Sequence, residues 1–130
     1  MSVAPALRQD RARVVALMHP KEGVSFEEFD KYWLNEHSKV FHSIAIGKKN
    51  LTKYEQFHFN PAVNQMVAAQ GTPALPYFGM AVFEAESFEK IMEIFKDPEY
   101  HRVVVPDEDK FFDRTKSSIL TGQFATIWEQ

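Results

Sequence analysis

A chain of 130 residues, 45% hydrophobic and 25% charged, has the make-up of one ordinary globular domain with its own core. Its net charge of -3, with lysines and arginines scattered among acids, argues against nucleic acid as a partner. There is no cysteine for a disulfide framework, no N-terminal signal core and no apolar run of ~18 residues to cross a membrane, so a soluble, cytoplasmic protein is expected.

Residues 1–12 lack periodicity and read as a frayed tail before a single domain over 13–130. A first strand is predicted over 13–19, with a turn at 20–23. Residues 25–44 then carry the strongest helical signal. Phe26, Phe29, Trp33, Val40, Phe41 and Ile44 recur at three- and four-residue spacing, and His37 falls on the same stripe. Ser25 with Glu28 forms a capping box at its start, and Gly47 with Lys48 and Lys49 is the expected stop. A strand over 51–59 places Thr52, Tyr54, Gln56 and His58 on one face. The long connection 60–76, with three prolines and a glycine around a possible short helix, is read as a lid.

Residues 77–84 are apolar on both faces, which predicts a central strand. A second helix over 87–96 has Phe88, Ile91, Met92 and Phe95 as its inner stripe, and Asp97-Pro98 ends it. Pro106 starts a short helix with Asp107 and Glu108 in the first turn, where acids suit the dipole, and with Phe111 and Phe112 facing inward. The last strand is predicted over 123–129. The order β-α-β-β-α-β is an α+β, ferredoxin-like arrangement with both helices on one face of an antiparallel sheet. The other face is apolar too, and a homodimer would cover it.

Three stretches carry a resemblance. Residues 26–40, FEEFDKYWLNEHSKV, hold Trp33 and His37 in an aromatic-rich helix. Residues 51–58, LTKYEQFH, hold Tyr54, Gln56 and His58. Residues 97–118 hold Asp97, Pro98, Tyr100, Asp107, Glu108, Phe111, Asp113, Lys116 and Ser117. The pattern resembles the EthD-domain group of the dimeric α-β barrel superfamily. That resemblance implies a ferredoxin-like homodimer. Fungal proteins with the pattern are similar to small decarboxylases or dehydratases of aromatic polyketide pathways, and other relatives are cofactor-free monooxygenases, cyclases and isomerases.

An imidazole on an apolar helix face must find a partner, so His37 is either a satisfied core residue or a reactive one. His37, His58 and Tyr54 are the catalytic candidates. Trp33, Phe41, Gln56, His101, Phe111 and Asp113 are the substrate-binding candidates, although aromatic residues at helical spacing also pack as core. His42, five residues after His37, points elsewhere on the helix and cannot share an ion with it. No metal, nucleotide or flavin motif is present, so no cofactor is expected. The expected activity is a cofactor-independent lyase, a decarboxylase or dehydratase, acting on a small aromatic or polyketide-like molecule. A cofactor-free oxygenase, cyclase or isomerase, or a binding module without chemistry, is the alternative.

Overall fold

In the computed structural model, which describes residues 4–130, the order and pairing of four strands set the architecture. β1 (Ala12–Met18) lies between β3 (Gly79–Ala85) and β4 (Ser118–Gly122), and β2 (Leu51–His58) pairs with the other edge of β3. All pairings are antiparallel and the sheet order is β2-β3-β1-β4, the ferredoxin-like topology. Strand alternation sends Val14, Met18, Ala81 and Phe83 into the core beneath the helices. Their neighbours Val15, Leu17, Met80 and Val82 therefore occupy the opposite face.

The helical layer is less regular than its sequence pattern. Ser25 caps α1 (Phe26–Tyr32), with its hydroxyl oxygen accepting the Glu28 N–H at 3.1 Å. A π-helical turn, Trp33–His37, follows at once, and α2 (Ser38–His42) completes the first run. The run then ends before its expected stop. Buried Ile44 adopts an extended backbone, φ −83° and ψ 135°, and a new helix α3 (Ala45–Asn50) begins, so Gly47 lies inside a helix. Exposed α4 (Pro61–Ala68) precedes β3, and α5 (Phe88–Lys96) packs Ile91 and Ile94 inward. Phe88, expected on that inner stripe, is exposed at the first position of α5. A second π-helical turn, Tyr100–Val104, leads into α6 (Val105–Glu108).

One expectation from the sequence is corrected by the pairing. The final strand is residues 118–122, not 123–129, and Ile127 and Trp128 are exposed. The reason is that the preceding turn is docked on the end of β1: the Asp113 N–H donates to the His19 carbonyl, and the His19 N–H donates to Ser117 Oγ at 3.0 Å. From that anchor β4 runs back along β1 and reaches Arg13 at Gly122, so the partner strand is nearly exhausted before residue 123. The tail expectation for residues 1–12 falls partly outside the described residues; from Ala4 to Arg11 there is no regular element, yet the Arg8 N–H is tied to the Phe124 carbonyl at 2.8 Å.

Trp33 is wholly buried, and its packing depends on one glycine. A Cβ on Gly79 would lie 2.3 Å from the indole Cζ3, inside any permissible contact. Gly79→Ala must displace the largest buried side chain of the core, and overpacking of this kind costs about 1–3 kcal/mol. Denaturant unfolding should show that loss, and an unchanged midpoint would mean that Trp33 has room to move.

Candidate active site

The two π-helical turns and the short α6 converge on a cavity of about 220 Å³ between the helices and the sheet. Val14, Ala16, Ala81 and Phe83 form its floor, and Trp33, His37, Phe41, Phe95 and Tyr100 lie around it. Arg114 and Ile119, both exposed, mark its mouth. The Ser38 N–H reaches back five residues to the Trp33 carbonyl, and both Trp33 and His37 on this turn are buried. Such turns within helices recur at functional sites.

His37 is only 4% exposed, and its Nδ1 lies 2.7 Å from Asp107 Oδ2. The Tyr32 hydroxyl donates to the other carboxylate oxygen at 2.5 Å, and Lys110 Nζ stands 3.3 Å from it. Burial pushes the Asp107 carboxyl up, but the hydrogen bonds from Tyr32, His37 and Lys110 outweigh it and hold the group below the usual carboxylate range. Burial likewise pushes the His37 imidazole below its ordinary value, and the bond and charge of Asp107 offset only part of this. The imidazole is therefore neutral near pH 7. Because ionised Asp107 can only accept, the hydrogen sits on Nδ1 and the lone pair on Nε2. The Phe111 ring, 4.9 Å from the imidazole, holds it in place.

Asp107 and Glu108 are consecutive in one helical turn, roughly 100° apart, so they serve different partners. Glu108 accepts from the Tyr100 hydroxyl and from Arg114, both at 2.6 Å. Burial raises the Glu108 carboxyl against the pull of Tyr100 and Arg114, and burial beside Glu108 strongly raises the Tyr100 phenol.

The sequence candidates separate on this geometry. His37, Tyr54, Trp33 and Phe41 line the cavity, whereas Gln56, His58, His101, Phe111 and Asp113 do not. His58 is occupied on both nitrogens, by Asp30 at 2.5 Å and Gln56 at 2.8 Å, and its ring lies at a tilt 4.7 Å from Trp33. Gln56 in turn donates to the Trp33 carbonyl at 3.1 Å, so this row supports the indole from behind. His101 is exposed against the edge of Tyr100, and Asp113 organises a turn through Thr115. Residues 60–76 do not close over this cavity; they lie across Phe26, Phe57, Phe59 and Phe78 on another side.

In the sequence Asp107 and Glu108 have the pattern of first-turn acids facing the dipole, so neither they nor Tyr32, Tyr100 and Arg114 stand out there as site residues. A signal was present, since Asp107 precedes buried Phe111 by one helical repeat. Among the described residues, no three His, Asp or Glu side chains are grouped to hold a metal ion, and no helix is long and apolar enough to cross a membrane.

Fold and cavity define a ferredoxin-like domain with an interior space that joins an aromatic wall to a carboxylate-supported histidine. The EthD domain model matches residues 21–115, and the chain belongs to that family. A dehydratase of Ustilaginoidea virens, ustZ, is 24% identical over 116 residues, covering 82% of this chain and 79% of that protein. Two solved structures share the fold at low identity. An EthD family protein from Bacillus halodurans covers 86% of this chain and 96% of its own at 16% identity and a TM-score of 0.57. The hydroxynitrile lyase of Passiflora edulis covers 94% and 100% at 14% identity and a TM-score of 0.59.

The His37–Asp107 pair has a pH signature with a definite sign. Both folded-state values lie below the ordinary 6.5 and 3.8. The pair's contribution to stability is thus complete above pH 6.5 and is lost as pH falls through the depressed values of His37 and then Asp107. An NMR titration should place the His37 midpoint below 6.5, and Asp107→Asn should move it further down, because the carboxylate is what raises it. An upward move would reverse the assignment of causes.

Proposed function

We propose that this cavity is the active site of a small tailoring enzyme that eliminates water from a β-hydroxy ketone within a flat, aromatic polyketide-like molecule. One observation carries the reading: a neutral, carboxylate-clamped imidazole whose Nε2 has no partner on the Asp107 side and whose ring lines an aromatic cavity. Nε2 takes the proton beside the ketone, and the C–H electron pair passes into an enolate. Asp107 stabilises the imidazolium that forms. The enolate collapses to a C=C bond, the C–O bond breaks, and the same imidazolium returns the proton to the departing hydroxyl as water. No oxidant or cofactor enters the balance.

Decarboxylation fits less well. Arg114, the cation of the cavity wall, is already paired with Glu108 at 2.6 Å, so a substrate carboxylate would meet a committed cation beside a resident carboxyl group. The distant relation to a dehydratase supports the same choice. A direct probe is β-hydroxy-α-tetralone, which loses water to give fluorescent α-naphthol. His37→Ala should slow that reaction about a hundredfold or more, the usual worth of a general base. The wild-type rate should fall on the acid side as His37 protonates below pH 6.5. Oxygen uptake in place of water loss would support the oxygenase alternative, and binding without turnover would leave a ligand-carrying module.

We also propose a homodimer in which the sheet faces opposite the helices meet, in the cytoplasm. Val15, Leu17, Met80 and Val82 lie on that face, where Phe57 is 58% and Leu120 53% exposed. A patch of this kind on a monomer invites a partner. A relative of the same fold from Bacteroides fragilis, 9% identical with a TM-score of 0.61 and covering 92% of this chain and all of its own, is described as dimeric. Light scattering should return twice the 15.1 kDa chain mass, and Val82→Asp should yield monomer; a wild-type monomer at micromolar concentration would refute the proposal.

A further inference from the structure

Trp33 Nε1 is a buried side-chain nitrogen without a hydrogen-bond partner among the described residues, on a residue with no solvent exposure. Orphaned buried donors are rare and costly. The neighbouring polar groups do not relieve it. Gln56 gives its amide N–H to the Trp33 carbonyl and its oxygen to His58, and His58 is held by Asp30. Nor can the indole turn freely, because the Cε3, Cζ3 and Cη2 atoms are pressed against Gly79 and the ring packs at a tilt against His58 and Phe29. With that benzo edge on the strand, the edge bearing Nε1 faces away from it. Trp33 lines the same cavity as His37, and so does Tyr54. The Tyr54 ring is fixed by stacking 4.9 Å from Phe83 and by a tilted contact 4.8 Å from Phe41. Burial raises the Tyr54 phenol, and Gln56 and the indole N–H each pull it back down, so the indole edge reaches towards the Tyr54 oxygen, though not closely or squarely enough to make a hydrogen bond.

The geometry points to Trp33 Nε1–H and the Tyr54 hydroxyl as a two-donor seat for the ketone oxygen of a ring-bound substrate. This deepens the proposed function and rests on it. The two donors would bind the oxygen on which negative charge gathers when His37 Nε2 removes the adjacent proton. Such preorganised donors in a dry site lower the barrier most where charge develops. The assignment also selects the ligand class. An apolar cavity without donors rejects a carbonyl in favour of its hydrocarbon counterpart, because the carbonyl loses its bonds to water. A cavity with a waiting N–H reverses that preference.

The test uses the full protein with α-tetralone and tetralin, two rings of nearly the same shape that differ in the carbonyl. By calorimetry the wild-type protein should favour the ketone, and Trp33→Phe should shift the ketone-to-hydrocarbon affinity ratio about tenfold towards the hydrocarbon, the worth of one buried hydrogen bond. Tyr54→Phe should shift it in the same direction. A measurement free of any variant is the infrared carbonyl stretch of isotope-labelled α-tetralone. In the wild-type complex it should lie below its position in hexane, as expected for an oxygen accepting hydrogen bonds. If both compounds bind, but the stretch matches hexane or the ratio is unmoved by Trp33→Phe, the donor assignment fails while the active-site proposal stands. If neither binds the wild-type protein, the reading of the cavity as a ring-binding site fails and takes this inference with it.

Discussion

The contact between His37 and Asp107 is the one on which the rest of the site depends. A carboxylate that is 5% exposed is tolerable only when its oxygens are fully engaged, because the loss of hydration costs several kcal/mol. Tyr32, His37 and Lys110 supply that engagement, and two of the three come from the first helical run. The bond therefore does two things together. It fastens the turn at α6 to the long helix 70 residues earlier in the chain, and it decides which ring nitrogen of His37 carries the hydrogen. A reactive lone pair and a tertiary clasp are the same interaction seen from its two ends.

Around that clasp the cavity is divided by chemistry. Its floor is the apolar face of β1 and β3, which cannot stabilise charge. Trp33, His37 and Tyr100 arrive on helical turns of irregular pitch, Tyr54 on strand β2, and Glu108 on α6. The row Asp30, His58 and Gln56 then works from behind the indole, fixing Trp33 by a tilted ring contact and by a bond to its carbonyl. His58 thus touches the indole and lies outside the cavity lining.

The sequence alone determined the parts of this protein that depend on local periodicity. The period of Phe26, Phe29 and Trp33, the cap at Ser25, the parity of Tyr54, Gln56 and His58, and the doubly apolar β3 are short-range features. Each is read from residues within a turn or a strand of one another, and together they led to the ferredoxin-like fold and to His37 on an inward face. What the tertiary structure alone decided is which polar residues meet. Asp107 looks like a first-turn acid until Tyr32 and His37, far away in the chain, take both of its oxygens. His58 looks like a cavity residue until Asp30 and Gln56 occupy both its nitrogens. The last strand looks like 123–129 until the anchor at His19 sets its register against β1 five residues earlier. Periodicity reports which face of an element is buried, because burial is a property of single residues averaged along a segment. Pairing between polar atoms is a property of two residues brought together by packing, and no spacing within one segment encodes its distant partner.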